Sequence, residues 1–385
     1  MSIQLLTANH AAALAAGAAG RANRVGRGFG SGVYPITPQT ECIELLTTLS
    51  IEKGSVVLVE SEHSAMAVCM GFSMGGARTF TASSSNGLAY MAENVYAAAL
   101  YRLPIVMMAV NRTLGPPWNI WVDHGDTLML RDSGWIQIYC EDNQEVHDLL
   151  LAAWRLAEDT RVLLPVLVCQ DAFILSHTLM STDIADQDDV DAFLPPLKLP
   201  HRLDTRARTV GGLDFPRETE VHRRQAMEAM SRVPQVWSEV QDTFSARFGR
   251  RLPDPVVGYR LDDAEVAVVS IGTTASTART VVDGLREQGV RAGALRVTMM
   301  CPFPGEAVGR ALAGVPRVAV LDRDLSPGLG GVLWAELRAS TDLPFVQGYV
   351  LGLGGGDVRP VHIEQIVSDL RTRERPGDPM LVEVA

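Results

Sequence analysis

Strand-like runs alternate with helix-like segments in two blocks of this 385-residue sequence, and this alternation constrains the fold more than any other feature. In the first block the strand-like runs are mostly apolar and often β-branched, and they lie at residues 55–60, 79–85, 104–110, 135–140 and 163–169. Alternating strands and helices indicate βαβ units, and continuous apolar strands indicate a sheet covered on both faces. The first block is therefore predicted to be an α/β domain with a mostly parallel sheet.

A smaller second block repeats the pattern after a polar stretch that prolines interrupt. Its predicted strands lie at residues 265–270, 292–297, 317–321 and 345–350, and its predicted helices at 274–288, 330–339 and 360–371. The acidic residues and prolines before this block weaken any periodicity, although residues 218–248 could form one or two helices. We predict a first domain over 1–180, an excursion with helices over 181–257, and a second α/β domain over 258–385.

Charge and cysteine spacing exclude several classes of function. The chain has 34 basic and 45 acidic residues, a net charge of −11, which argues against a nucleic-acid partner. Its five cysteines include no CxxC pair, so the usual spacing for a zinc ribbon or an iron–sulfur cluster is missing. Their odd number favours a reducing cytoplasm. The alanine-rich segment 11–20 is too short to cross a membrane and is predicted to be an N-terminal helix.

Two glycine clusters do not match the fingerprint of a dinucleotide-binding site. Residues 26–32 have glycine at every second position after a predicted helix, which indicates a glycine-rich loop, and residues 352–356 also miss the GxGxxG spacing. We therefore do not expect this chain to bind NAD.

Polar residues at the ends of predicted strands are candidates for a site, because ligands of open α/β sheets bind at the carboxyl ends of strands. A carboxylate of the segment 60–63 follows one strand, and Arg112, which suits bidentate capture of a carboxylate, follows another. Thr37 before Pro38 predicts a helix N-cap whose hydroxyl could also face a cleft. Helix-dipole and surface-charge roles are the alternatives. Asp123, His124 and Asp126 could ligate a metal, but capping and local ion pairing are favoured.

Ordered motifs through most of the chain, apart from about 181–255, resemble the alpha subunit of 2-oxoacid:ferredoxin oxidoreductases, the pyruvate:ferredoxin oxidoreductase family. In the first block they are YPITPQT (34–40), VESEHSAM (59–66), SSSNGLAYMAE (83–93), RLPIVMMAVNR (102–112), GPPWNIWVDHGD (115–126), RDSGWIQIYCEDNQE (131–145) and LLPVLVCQDAFILSHT (163–178). In the second block they are CPFP (301–304), LDRDLSPG (321–328) and GLGGGDVRP (352–360).

The resemblance implies a thiamine diphosphate pyrimidine domain followed by a transketolase C-terminal-like domain. It implies that Glu62 hydrogen-bonds N1′ of the aminopyrimidine, that Pro35 and Ile36 contact the cofactor, and that Thr37 and Arg112 hold the carboxylate of the substrate. This chain itself would bind no metal, because Mg²⁺ and the diphosphate would lie on a beta subunit. Both glycine–aspartate pairs here, at 125–126 and 356–357, lack the second glycine of the GDG diphosphate motif.

The implied activity is oxidative decarboxylation of a 2-oxoacid, by default pyruvate, with coenzyme A as co-substrate. Iron–sulfur clusters would lie only in partner subunits, and the implied partners are beta, gamma and ferredoxin-like delta subunits and ferredoxin or another acceptor. Three alternatives stay open. They are an aromatic 2-oxoacid such as phenylglyoxylate with NAD as acceptor, a transketolase-like or 2-oxoacid dehydrogenase beta-like thiamine enzyme, and a non-catalytic assembly subunit. We expect a cytoplasmic protein without membrane contact.

Overall fold

The computed structural model describes residues 2–204 and 211–383. The first block contains strands β1 (Ser2–Leu6), β2 (Phe29–Val33), β3 (Gly54–Leu58), β4 (Arg78–Ser83), β5 (Ile105–Asn111), β6 (Ile136–Tyr139) and β7 (Val166–Asp171). Its helices are α1 (Ala8–Ala22), α2 (Thr40–Thr48), α3 (Glu62–Met74), α4 (Asn86–Tyr90), α5 (Ala92–Leu100), α6 (Gly125–Leu128) and α7 (Asn143–Ala157). The predicted strands and the N-terminal helix of this block are confirmed, and the helix predicted after β4 is divided into α4 and α5.

The segment after the first block contains β8 (Met180–Ile184), α8 (Gln187–Phe193), α9 (Pro216–Ser231) and α10 (Val233–Phe248). Strand β8 pairs antiparallel with β1. Residues 218–248 thus form parts of two helices, which meet at Arg232. Buried aromatic residues of α10 belong to the same core cluster as α1 and α7: Trp237, Phe244 and Phe248. This part of the predicted excursion therefore packs on the first block.

The second block contains strands β9 (Val256–Tyr259), β10 (Val266–Ser270), β11 (Ala292–Val297), β12 (Met299–Cys301), β13 (Arg317–Asp322), β14 (Val346–Leu351) and β15 (Met380–Val382). Its helices are α11 (Thr274–Glu287), α12 (Gly305–Leu312), α13 (Val332–Ser340) and α14 (Pro360–Thr372). Six of these strands form one sheet in the order β15-β14-β13-β10-β11-β9. Only β9 is antiparallel to its neighbour in this sheet, so the α/β prediction holds for the second block as well.

The main sheet of the first block has seven strands in the order β12-β6-β7-β5-β4-β2-β3. Six of them are parallel, and the antiparallel edge strand β12 comes from the second block. Met299 of β12 pairs with Ile138 of β6, so the two blocks share a sheet. The boundaries 1–180, 181–257 and 258–385 remain a prediction.

Of the glycines predicted as a loop at residues 26–32, Gly30 and Gly32 lie in strand β2, so the prediction was wrong for them, whereas Gly26 and Gly28 lie in the segment before it. A Cβ on Gly30 would lie 2.1 Å from Cγ of Phe72, and one on Gly32 would lie 2.3 Å from the carbonyl oxygen of Ala65. Both contact residues belong to α3, so the missing side chains let this helix lie directly on the strand. The same close packing fixes the N-terminus of α3, where Glu62 lies.

In the two described ranges, no helix is long and apolar enough to cross a membrane.

Candidate active site at the carboxyl ends of four parallel strands

Four neighbouring parallel strands, β5, β4, β2 and β3, end at one edge of the seven-stranded sheet. Three of the segments that follow them hold residues singled out from the sequence: Glu62 follows β3, Thr37 follows β2, and Arg112 follows β5 directly. Gly87, which the sequence analysis did not single out, follows β4. The chain topology therefore gathers these segments at the edge where open α/β sheets bind ligands.

Glu62 is a buried carboxylate at the first position of α3. Ser61 caps the helix by accepting a hydrogen bond from the amide of Ser64, and Glu62 itself is only 7% exposed. Its carboxylate has no hydrogen bond or ion pair within the described part of the chain, although burying an unpaired carboxylate is costly. Such a group is placed to receive a hydrogen bond from a ligand.

Glu60, the other carboxylate of this segment, differs from Glu62 in exposure and pairing. It is exposed and accepts a hydrogen bond from the hydroxyl of Ser64, which holds the pKa of Glu60 below its usual value. The structure therefore favours Glu62 over Glu60 as the site carboxylate.

Gly87 lies directly beside Glu62 and leaves room for its carboxylate. A Cβ on Gly87 would lie 2.7 Å from Oε1 of Glu62 and 2.5 Å from Oγ of Ser83. Both distances are far below van der Waals contact, so a side chain at this position would force its neighbours to move. The segment after β4 thus forms a closely fitted wall beside Glu62, which the sequence analysis did not identify.

Arg112 and Thr37 lie close together, and their contact with a substrate carboxylate stays a prediction. The Arg112 guanidinium donates from Nη1 to the carbonyl oxygen of Thr37 at 2.9 Å and from Nε to that of Asn119 at 2.8 Å. Its Nη2 donates to no acceptor in the ranges that the structure describes. Burial lowers the pKa of Arg112, while Asp126 counteracts the shift. Arg112 is thus oriented by carbonyl groups and keeps donors for an anionic ligand.

The prediction that Thr37 is a helix N-cap was wrong. Helix α2 begins at Thr40, after Gln39, and has no side-chain cap; the peptide bond between Thr37 and Pro38 is cis. Two hydrogen bonds close residues 34–39 into a turn. The side chain of Gln39 donates to the carbonyl of Tyr34, and the backbone amide of Gln39 donates to the carbonyl of Ile36. This turn leaves Thr37 exposed at the sheet edge.

Asn9 holds this turn in place by hydrogen bonds, and the sequence analysis did not identify Asn9 as part of the site. Its fully buried side chain donates to the carbonyl of Pro38 at 2.7 Å and to the carboxylate of Glu41 at 3.0 Å, and it accepts from Gln170 at 3.0 Å. The sequence feature that could have revealed this role is the single side-chain amide of Asn9 beside an alanine-rich stretch. Pro35 lies exposed and Ile36 half-buried in the same turn, and their contact with a cofactor stays a prediction.

Asp126 joins the segments after β4 and β5. It is fully buried, and its carboxylate accepts hydrogen bonds, each of 2.9 Å, from the backbone amides of Ser85 and Arg112 and from the side chain of Asn111. Burial raises the pKa of Asp126 to about 7, against the effect of these donors. Asp126 therefore positions Arg112 without facing the ligand edge itself.

Asp123, His124 and Asp126 make local hydrogen bonds and an ion pair, as the favoured pairing role predicted, but no side chain caps α6. Asp123 accepts from the amide of Gly125 at 2.8 Å, and His124 contacts Asp171 at 2.8 Å. Burial pushes the pKa of Asp171 upwards, but His124 and Arg323 outweigh it and lower that pKa to about 2. Residues 2–204 and 211–383 contain no group of three or more ligating side chains suited to a metal.

The second glycine cluster supports the tryptophan-containing loop that follows Arg112. Asn119 of this loop donates to the carbonyl of Gly354 at 2.9 Å, and a Cβ on Gly355 would lie 2.1 Å from that of Trp121. Gly354 and Gly355 also have positive φ values of 61° and 84°, which favour glycine. The second block thus contacts the loop that holds Arg112 through Asn119.

Two family models match this sequence. One, described as "Pyruvate flavodoxin/ferredoxin oxidoreductase, thiamine diP-bdg", matches residues 30–242. The other, described as "Pyruvate:ferredoxin oxidoreductase core domain II", matches residues 264–363. The first match begins within β2 and ends within α10, inside the predicted excursion.

Curated proteins and solved structures are also similar to the chain, among them two relatives and one oxidoreductase structure. Pyruvate synthase subunit PorA of Methanothermobacter thermautotrophicus is 44% identical over 347 residues, which cover 89% of this chain and 90% of the relative. Ketoisovalerate oxidoreductase subunit VorA of Pyrococcus abyssi is 39% identical over 348 residues, covering 88% and 87%. The structure of 2-oxoglutarate:ferredoxin oxidoreductase from Magnetococcus marinus, with 2-oxoglutarate, coenzyme A and succinyl-CoA bound, superposes with a TM-score of 0.73 at 21% identity.

That superposition covers 95% of this chain and 65% of the other chain, and at this identity it concerns the fold alone. The matches together confirm the resemblance read from the motifs. They favour neither the aromatic 2-oxoacid, nor a transketolase-like or dehydrogenase beta-like enzyme, nor a non-catalytic subunit.

Proposed function

The chain belongs to the 2-oxoacid:ferredoxin oxidoreductase family as an alpha subunit, and on this premise we propose that it forms the aminopyrimidine half of a thiamine diphosphate site for pyruvate oxidation. The working enzyme is a complex in which this chain is one subunit. In our proposal the complex converts pyruvate and coenzyme A to acetyl-CoA and CO₂ and passes the electrons to ferredoxin.

The observation that carries the proposal is the unpaired, buried carboxylate of Glu62 beside Gly87. An aminopyrimidine needs a carboxylate at N1′, and Glu62 would supply it beside Gly87, where a side chain would overlap the carboxylate. When bound, thiamine diphosphate supplies the electron sink that decarboxylation of a 2-oxoacid requires. Glu62 would hold N1′ by a hydrogen bond and exchange a proton with it, and Pro35 and Ile36 would contact the ring.

Arg112 and Thr37 are the proposed partners of the substrate carboxylate. The guanidinium of Arg112 is fixed by the carbonyl groups of Thr37 and Asn119 and carries a positive charge without a carboxylate partner within hydrogen-bond distance in the described ranges. A 2-oxoacid brings that missing carboxylate. Pyruvate is the proposed substrate because the pyruvate synthase relative has the higher identity, 44% against 39% for the ketoisovalerate enzyme.

We assign the iron–sulfur clusters, the Mg²⁺ and the diphosphate site to partner subunits. The five cysteines are unpaired; four of them are buried and the fifth, Cys301, is half-buried, and burial raises the pKa of the Cys42 and Cys301 thiols. A cluster needs several thiolates close together. The proposed partners are beta, gamma and ferredoxin-like delta subunits, and we place the complex in the cytoplasm, where such thiols stay reduced.

The test is a substrate panel on the purified complex. Reduction of a viologen dye is measured with pyruvate, 2-oxoisovalerate, 2-oxoglutarate and phenylglyoxylate, each with and without coenzyme A. We expect kcat/KM to be highest for pyruvate, with acetyl-CoA as the product. Preference for another 2-oxoacid would refute the substrate proposal alone. Activity that requires lipoamide and reduces no dye would refute the reaction class.

A further inference from the structure

The loop that follows Arg112 returns to the sheet edge and contacts this arginine again. The amide of Thr113 donates to the carbonyl of Trp121 at 3.0 Å, so residues 114–120 leave the edge and come back to it. Asn119 lies near the end of this loop, and its carbonyl accepts the hydrogen bond from Nε of Arg112 at 2.8 Å. The position of this carbonyl therefore fixes one side of the guanidinium.

The side chain of Asn119 makes two hydrogen bonds, although its neighbours in sequence are exposed. Trp118 and Ile120 are 70% and 40% exposed, whereas Asn119 is half-buried. Its Oδ1 accepts from the amide of Trp121 at 2.7 Å, which closes a local turn. Its Nδ2 donates to the carbonyl of Gly354 at 2.9 Å, 235 positions away in the second block. This second bond attaches the loop to the other block.

A buried arginine of the second block holds the turn that contains Gly354. Arg323 is only 5% exposed and donates from Nε to the carbonyl of Gly352 at 3.1 Å and from Nη2 to that of Gly356 at 3.0 Å. The glycine turn is therefore firmly attached to the second block, and Asn119 connects it to the loop of the first block.

We propose that Asn119 is a positioning residue for Arg112, through which the second block sets the orientation of the guanidinium that captures the substrate carboxylate. This inference rests on the proposed function. A neutral amide holds the loop without neutralising the arginine, so Arg112 keeps its charge for the 2-oxoacid. The second block thereby contributes to substrate binding through a chain of hydrogen bonds.

The test measures steady-state viologen reduction by the purified complex, with pyruvate and coenzyme A varied in turn. Asn119→Ala removes both side-chain contacts. Asn119→Ser keeps a hydroxyl that can accept from the amide two residues later, but this side chain is too short to reach Gly354. We expect both variants to raise the KM for pyruvate about 3-fold to 10-fold, the range for one neutral hydrogen bond. The kcat and the KM for coenzyme A should change less than about twofold.

Two glycines test the same contact from the side of the second block, without changing Asn119. A Cβ on Gly354 would lie 2.9 Å from Nδ2 of Asn119, whereas one on Gly249, at the end of α10, would meet no atom within 4 Å. Their φ values are similar, 61° and 66°, so alanine strains the backbone similarly at both positions. Gly354→Ala should raise the KM for pyruvate, and Gly249→Ala should leave it unchanged.

A double variant shows whether Asn119 acts through Arg112. Substitutions of two residues that act through one contact are not additive. The complex with both Asn119→Ala and Arg112→Ala should therefore have the KM for pyruvate of Arg112→Ala alone, within about twofold. A further increase by the full factor of Asn119→Ala would show that Asn119 acts elsewhere, and the inference would be overturned.

The remaining outcomes separate this inference from the proposed function. The inference is overturned if Asn119→Ala or Asn119→Ser leaves the KM for pyruvate unchanged while Arg112→Ala raises it. It is also overturned if the KM for coenzyme A rises equally, or if Gly249→Ala acts like Gly354→Ala, because Asn119 then has only a structural role. If Arg112→Ala itself leaves the KM for pyruvate unchanged, the role of Arg112 in the proposed function is what has failed.

Discussion

Replacing Gly87 by alanine tests the placement of Glu62 without touching the carboxylate. Gly87 lies in α4 and does not have a positive φ, so the backbone accepts alanine, which is the better helix former. The added Cβ would lie 2.7 Å from Oε1 and 2.9 Å from Cγ of Glu62, and 2.5 Å from Oγ of Ser83. Each of these atoms must therefore move by roughly half an ångström or more to reach ordinary contact.

The cost to stability should be small, and the cost to activity should be large. Overpacking of a core costs about 1–3 kcal/mol, and the atoms nearest to the new Cβ belong to side chains and not to the backbone, so we expect the lower end of this range. A misplacement of about 1 Å at a reacting centre costs about 100-fold in rate. We therefore expect a shift of a few degrees in the denaturation midpoint of the complex and a loss of about 100-fold in kcat for viologen reduction.

Gly71→Ala in α3 is the matched control, because a Cβ there meets no atom within 4 Å. This variant should be as stable as the unchanged protein or more stable, by up to about 1 kcal/mol, and should keep its activity. Equal activity and equal cofactor affinity in the Gly87→Ala and Gly71→Ala complexes would show that the position of Glu62 beside Gly87 does not matter, and the proposed site would be refuted.

Three further predictions concern the charged residues of the site. Glu62→Gln should lower kcat by two or more orders of magnitude while the complex stays assembled, because an amide cannot exchange the proton with N1′; full activity in the dye assay would contradict this role. Arg112→Ala should raise the KM for pyruvate about 10-fold or more with a smaller change in kcat, whereas an unchanged KM would remove Arg112 from the substrate site. Asp126→Asn tests the raised pKa of the Asp126 carboxyl, about 7. Burial disfavours the ionised carboxylate. The contribution of Asp126 to the stability of the folded protein is therefore full below about pH 4 and falls as the pH rises through 7. The denaturation midpoint of the unchanged complex should therefore decrease relative to Asp126→Asn between about pH 5 and pH 8, and parallel curves would contradict the assignment.

The strands at the centre of both sheets and the residues at their ends could be predicted from the sequence. Runs such as 104–110 are apolar at every position because helices cover both faces of the sheet. Once the strands are parallel, their carboxyl ends meet at one edge. A carboxylate of the segment 60–63 and Arg112 were therefore recognisable as site candidates before any contact was known, and the motif resemblance singled out Glu62.

The sequence analysis did not predict strands whose residue types depend on contacts with parts of the chain that are distant in sequence. Gly30 and Gly32 are small because α3 lies on β2, and in the sequence they look like a flexible loop. The strands β9, β12 and β15 have only three or four residues and lie at sheet edges, so they carry no periodic pattern. A short edge strand forms because a neighbouring strand pairs with it, and this neighbour is distant in sequence. The residues of the short strand alone therefore do not predict it.

The support of the site was also beyond local reasoning. Asn9 reaches Pro38 across 29 residues, and Asp126 joins Ser85 and Arg112 across 41 and 14 residues. The N-cap assignment of Thr37 failed for a related reason: the side chain of Gln39 closes a turn on Tyr34. The residues that we propose to touch the ligand were suggested by motif and strand position, whereas those that hold them in place required the fold.

Strand β12 has a consequence for the order in which this chain is made. Its neighbour β6 ends at Tyr139 and the last strand of the first block ends at Asp171, whereas β12 begins at Met299. At about 5–20 residues per second, a ribosome needs roughly 6–25 s to pass from residue 171 to residue 299. During this interval the backbone of β6 is an open edge, which is the kind of surface that pairs with other nascent chains. A first block expressed alone would keep the edge of β6 unpaired. We therefore expect the full chain to be produced with less aggregation than the first block alone.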